Sequence, residues 1–491
     1  MGSRTEIIYR DIAPGAAEAA SVSAEGAGTL SDLSRMPLEG LIVKAGLPER
    51  NYWILDGTAD ITDGSPVAAF VSEQISDIEC VLQAAPVITI SFSENFTSPG
   101  VTLEFDTVSG EWCSSINIKW YQGSSLKADS DFMPDSPVYF CSQSAEAFDR
   151  IVITVGKTSM PYRRAKIRRI LIGVVRTFGM SEIRNASITC ETSLISTELP
   201  ISALSWTLDS RENIDFLFQN KQPIEVKNND SLIGVFYVTK AARNSGSVYN
   251  ISCEDAFGVL EDIPFPGGAY LNGISAETLT ETIVGSEFDV VFDKADTVLK
   301  GIIQSGTKRA ALQQVLFAWG AAAIGDGEKI RIVPLGDTLS EIGADRTYTG
   351  VTVDTDTAVT EVRVSAHTYT QDSGGGIEVG GTKYSETVTE YIVQNPNATG
   401  NSKENVITVD NATLVSADIG QAAAQRVYDY YMRRNTGKGK IVWNGEKPGD
   451  YVSIPNAWGG ITKGHIAKME ITLSNTVAAD LTVIGTEEAV Q

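Results

Sequence analysis

Between residues 46 and 178 apolar and polar side chains alternate with a period of two. In "VITISF" Ile88, Ile90 and Phe92 fall on one side, in "VTLEF" Val101, Leu103 and Phe105, and in "INIKW" Ile116, Ile118 and Trp120. "RIVITV" and "KIRRILIGVV" continue the series. Short alternating runs separated by Gly, Ser, Asp and Pro predict half-buried antiparallel strands, and several in succession predict a sandwich. Residues 179–265 repeat the signal in "SITCET", "LSWTLD", "PIEV", "VFYVTK" and "VYNISCE", with "NND" and "NSGS" as hairpin turns. This segment is expected to form a small antiparallel barrel.

The period changes over residues 266–345. "TKRAALQQVLFAWGAAA" places Leu312, Val315, Leu316 and Trp319 on one face of a helix, and Ser275 is a candidate N-cap for "AETLTETIV". "AIGDGEKIRIVP" then predicts a hairpin, so the segment is α+β and the apolar stripe is core. Residues 346–491 return to strands around one helix, "SADIGQAAAQRVYDYYMRR", with Ile419, Ala423, Val427 and Tyr430 on one face. The Gly-rich "TQDSGGGIEVGGTK" is followed by a strand, whereas a phosphate cradle needs a helix there; it is expected to be a long hairpin. Residues 1–45, rich in Ala, Gly, Ser and Glu, show weak periodicity and are expected to be an extended arm or a mobile leader.

The formal charge of −23, from 39 basic and 62 acidic residues, repels phosphate backbones and anionic lipid, so nucleic acid is not expected as a main partner. No apolar run reaches the ~18 residues of a bilayer span, and membrane insertion is not expected. The first residues carry no secretory pattern, so folding in a cytoplasm is expected. Five cysteines without a Cys-x-x-Cys pair give no metal knuckle or redox motif; Cys190 and Cys253 are expected as buried strand residues.

Two histidines, His367 and His465, limit any relay or zinc chemistry, and neither lies beside a nucleophile motif. No catalytic residue, metal or cofactor is assigned. The 62 acids leave a glycosidase-type carboxylate pair open, but no α/β barrel with a cleft is visible. In "EKPGDYVSIPNAWGGITKGHIAKMEITL" the glycines Gly449, Gly459 and Gly460 are expected to matter for turn geometry, and Asp450 to brace its turn.

The order "KPGDYVSI", "WGG", "GHIAKMEITL" and "LTVIG", preceded by the helix "QAAAQRVYDYYMRR", resembles the C-terminal barrel of tail baseplate hub proteins from phages and prophages of Gram-positive bacteria. "PIEV", "GVFYVTKA" and "YNISCEDAFGVLE" resemble their first barrel, and "RAALQQVLFAWGAA" their intervening α/β part. The resemblance covers roughly residues 180–491. It implies two hub-type barrels, 179–265 and 346–491, flanking an α+β unit at 266–345. It also implies a non-enzymatic ring, a homotrimer, between tail tube and tip. The implied partners are further copies, a tube or distal tail protein and a tip or spike protein, in a virion tail assembled in the host cytoplasm.

Residues 46–178 are similar to a galactose-binding-like jelly roll of the discoidin or carbohydrate-binding type. That similarity implies an alternative, attachment to a host-surface glycan, with Trp53, Trp112 and Tyr121 as candidate contacts. Some such modules hold calcium; Asp106 or Glu104 would serve, although the spacing shows no oxygen-ligand loop.

Overall fold

The computed structural model describes residues 4–488 apart from 14, 38–39, 48, 51–59, 211–217, 219, 230, 335–337, 399–402 and 475–476. The chain is mainly β and divides into two compact units, residues 8–177 and residues 1–7 with 178–491.

The strands of the first unit are β1 (Thr5–Ile12, whose first residues belong to the other unit), β2 (Ala20–Glu25), β3 (Phe70–Ile75), β4 (Val87–Phe105), β5 (Cys113–Gln122), β6 (Ser125–Phe132), β7 (Val138–Thr158) and β8 (Arg164–Gly179). The long strands β4 and β7 pair antiparallel, with register shifts between Ser91 and Gly100. Such bulges bend a strand and let its halves serve two sheets. The first half of β4 pairs with β2, Ile90 opposite Val22. The second half pairs with β8, Leu103 opposite Ile170. β5 joins the other edge of β7 and β6 follows β5 as a hairpin, while β3 lies beside β8. Between these faces lie Ile88, Ile90, Leu103, Phe105, Ile118, Trp120, Phe148 and Ile153, all buried. The alternation in the sequence is therefore the core face of an antiparallel sandwich.

The expected arm over residues 1–45 is in large part built into this unit. "ASVSAE" is strand β2, alternately half-buried and exposed, and Ala16 and Met36 are buried in the sandwich core. Small side chains gave a weak hydrophobic signal, but backbone pairing to β4 needs no large side chain.

In the second unit, β9 (Ile183–Glu191), β10 (Ala203–Asp209), β11 (Pro223–Asn228), β12 (Ser231–Arg243) and β13 (Val248–Glu254) pair antiparallel in the order β9–β10–β13–β12–β11. Trp206 packs here against Phe178 and Phe218, with ring centroids 5.7 and 6.5 Å apart. Helices α1 (Ala256–Glu261), α2 (Ala276–Val284) and α3 (Lys308–Trp319) follow. Thr278 N donates to Ser275 Oγ at 3.2 Å, so Ser275 caps α2 as the sequence indicated. Leu312, Val315, Leu316 and Trp319 of α3 are buried, and so are Ala311, Phe317 and Ala318, because other elements cover more than one side of the helix. Gly320, at φ 69°, ends α3. The "GDGE" hairpin forms with Asp326 opposite Lys329.

The chain then forms β14 (Glu361–Gln371), β15 (Thr382–Gln394), α4 (Ala417–Tyr431), β16 (Asn435–Val442), β17 (Tyr451–Pro455), β18 (Ile461–Thr472) and β19 (Ala478–Glu488). The Gly-rich segment before β15 carries a short strand of its own: Ile377–Val379 pairs with Thr382–Tyr384 around Gly380 and Gly381, both at positive φ. α4 buries Ala423, Ala424 and Val427 in the same core as Val362 and Val364 of β14.

β17, β18, β19 and β16 are neighbours in that order. Residues 347–351 close the ring, since Tyr348 N donates to Lys440 O at 3.1 Å and Val351 N to Pro455 O at 2.9 Å. β18 also pairs with β9, Ser187–Glu191 lying opposite Thr472–Lys468. The two strand arrays thus share one continuous antiparallel sheet. Among the described residues no helix is long and apolar enough to cross a membrane.

Candidate functional site

The hairpin β17–β18 is the wall of the closed strand array, and its turns rest on glycine. Gly449, Gly459 and Gly460 have φ of 95°, 89° and 92°, a region L side chains seldom adopt. Gly449 N donates to Ile466 O at 2.7 Å, and Lys447 N to Asp450 Oδ2 at 2.8 Å, so Asp450 braces the turn. Two further glycines, which the sequence reading passed over, are set more tightly. Gly464 and Gly485 face each other across β18 and β19. A Cβ on Gly485 would lie 1.9 Å from Lys463 O, and one on Gly464 2.3 Å from Ile484 O. An isolated glycine inside a strand pattern, as in "TKGHI" and "VIGTE", is the available signal for such an approach.

Both histidines are buried and engaged within the chain. His465 on β18 takes the Arg433 guanidinium at its Nδ1, 2.7 Å away, and packs against Tyr451 at 4.9 Å between centroids. His367 on β14 meets Glu386 Oε1 at 2.8 Å through Nδ1 and the Asp410 carbonyl at 3.0 Å through Nε2. Each ring tethers strands to neighbouring chain.

In the sandwich, Trp112 is half-buried and packed against the core, and the ring of half-buried Tyr121 lies under the Arg150 guanidinium at 4.6 Å. The two stand at opposite ends of β5, roughly 30 Å apart at ~3.3 Å per residue, and do not form one platform. Trp53 lies outside the described residues. Asp106 and Glu104 are both ion-paired: Arg169 holds Glu104 at 2.9 Å, and the Lys166 ammonium stands 3.7 Å from Asp106, 3.5 Å from Glu49 and 3.1 Å from Glu111. Burial pushes the Lys166 pKa down, but Glu49, Glu111 and Asp106 outweigh it and hold it above the ordinary 10.5. Among the described residues no group of His, Cys, Asp and Glu is arranged to hold a metal.

An apolar groove of about 170 Å³ opens in the second unit. Leu232, Val235 and Phe236 of β12, Ala323 and Ile324, Ile471 of β18 and Pro448 form its walls. Its acids are occupied. Glu191 pairs with Lys468 and Glu446 with Arg346. Asp255 accepts from Ser202 N at 2.9 Å and from Phe257 N at 3.0 Å as the N-cap of α1. Burial pushes the Asp255 carboxyl up to about 6 despite these bonds. Cys190, beside it, is pushed up to about 12 by burial and is no nucleophile. Lys447 at the mouth has no ion-pair partner among the described residues.

No family model matches the chain, and no curated protein matches it. Solved structures do. A tail protein from Neisseria meningitidis MC58 matches at 12% identity and TM-score 0.45, over 64% of this chain and 94% of that one. A prophage tail protein from Listeria monocytogenes EGD-e matches at 12% identity and TM-score 0.43, over 62% and 91%. The 43 kDa tail protein of a Shewanella oneidensis prophage matches at 12% identity and TM-score 0.44, over 63% and 96%.

Proposed function

We propose that the chain is a structural component of a phage or phage-like tail: a baseplate hub or tail-tip adaptor, trimeric, between tube and tip. The observation that carries the reading is the pairing of β9 with β18, which makes two distant parts of the sequence one antiparallel sheet. A shared sheet transmits load through backbone hydrogen bonds and leaves little freedom between its halves, which suits a scaffold. The side chains most suited to chemistry, His367, His465, Asp255 and Lys166, are engaged in intramolecular contacts. In this reading residues 179–265 and 346–491 are the two hub barrels, 266–345 links them, and the sandwich, which takes in residues 8–45 besides the expected 46–178 and has jelly-roll character, decorates the ring. The tube, distal-tail and tip proteins are its neighbours, and assembly takes place in the host cytoplasm.

The test is immunogold electron microscopy of intact particles from the source strain, with antibody against this chain. Label at the tail tip with threefold density supports the hub. Label on side fibres without an axial ring rejects it and favours glycan attachment through the sandwich.

A further inference from the structure

The turn between β17 and β18 presents an indole to solvent. Trp458 is 59% exposed, yet its orientation is fixed. Its Nε1 donates to Glu487 Oε1 at 3.2 Å, and Asn456 Nδ2 donates to the same oxygen at 3.1 Å. The polar edge is thereby satisfied within the chain, and docking the ring on an apolar wall would orphan no donor. An exposed aromatic held in one orientation loses little entropy on binding, which is the character of an interface anchor.

The groove beside Pro448 is the complementary feature. Leu232, one of its walls, is 42% exposed. Trp458 cannot reach the groove of its own chain. The groove adjoins the turn that precedes β17, whereas Trp458 follows β17, and this strand of five residues spans roughly 15 Å. Charge distinguishes the two sites in the same sense. Glu487, beside the indole, is exposed and has no cationic partner among the described residues, and Lys447, at the groove mouth, has no anionic one.

We propose that Trp458 of one copy docks into the apolar groove of a second copy, with Glu487 facing Lys447 of that neighbour. This contact joins two different patches, so it is heterologous and generates a ring where its rotation closes. The inference rests on the ring reading above and supplies its subunit interface.

The test uses the full chain and reads assembly by sedimentation velocity, with circular dichroism as a check on folding. Wild type is expected as a species of about 158 kDa, three times the 52.7 kDa chain. Trp458→Ala weakens assembly by about tenfold or more, as an anchor residue does. Lys447→Glu and Glu487→Lys each weaken it by roughly tenfold at low salt, and the double reversal assembles better than either single variant but short of wild type, because a lysine in place of Glu487 no longer accepts from the indole. A wild-type oligomer indifferent to Trp458→Ala, or to either charge reversal, overturns this interface and leaves the ring standing. A wild type that stays at the mass of one chain overturns both.

Discussion

At Asp255 a sequence that looks like ordinary capping, "EDAF", carries a measurable cost. The carboxyl is pushed to about 6, against 3.8 ordinarily, because burial outweighs its backbone donors. For an acid raised on folding, the folded state keeps a proton that the unfolded state has already lost between those values. Stability therefore falls as pH rises from about 4 to about 6, by roughly 3 kcal/mol at ~1.4 kcal/mol per unit. Asp255→Asn keeps a capping oxygen and removes this fall. Urea denaturation of both proteins at pH 4, 5, 6 and 7 should show a smaller decline in the variant; equal declines would reject the assignment. Glycines divide in the same way. Gly485→Ala meets a carbonyl oxygen at 1.9 Å and should cost more than about 3 kcal/mol. Gly459→Ala enters open space and pays only positive-φ strain, about 1–2 kcal/mol. A reversed order of the two midpoints would show that strand packing is not the constraint.

At the scale of elements, burial decides more than propensity. The Lys166 ammonium on β8 reaches three carboxylates, two of which, Asp106 and Glu111, flank the turn between β4 and β5. Lys166→Met leaves those acids buried without their cation and should destabilise the sandwich by about 3–5 kcal/mol. The loss should appear in thermal unfolding at neutral pH, and an unchanged midpoint would mean that Arg163, 2.9 Å from Glu111, suffices. Helix α3 was legible because its apolar residues recur at helical spacing. β2 was not, because "ASVSAE" owes its place to a partner almost seventy residues away.

For the molecule as a whole, the pairing of β9 with β18 makes residues about 280 positions apart one cooperative sheet. Hydrogen exchange should report it: amides of Ser187–Glu191 and Lys468–Thr472 are expected to open together and slowly. Fast exchange of β9 while β18 stays protected would dissolve the argument for a single scaffold. The closed array of β16–β19 adds a further constraint, since residues 347–351 must seat before its edges are covered.

The sequence by itself determined the β character, the helical insertions, the cap at Ser275, the turn glycines Gly449, Gly459 and Gly460, and the absence of a local catalytic motif. These follow from periods of two and 3.6 and from backbone geometry that a few neighbouring residues settle. Only the tertiary structure decided which strands bend to serve two sheets, that β9 meets β18, that Gly464 faces Gly485, and that Lys166 stands among three acids. It also decided that Trp112 and Tyr121 lie at opposite ends of one strand, and that Trp458 stands in solvent beyond the reach of its own groove. Those facts are contacts between segments far apart in the chain, and a contact between distant segments leaves no period in either of them.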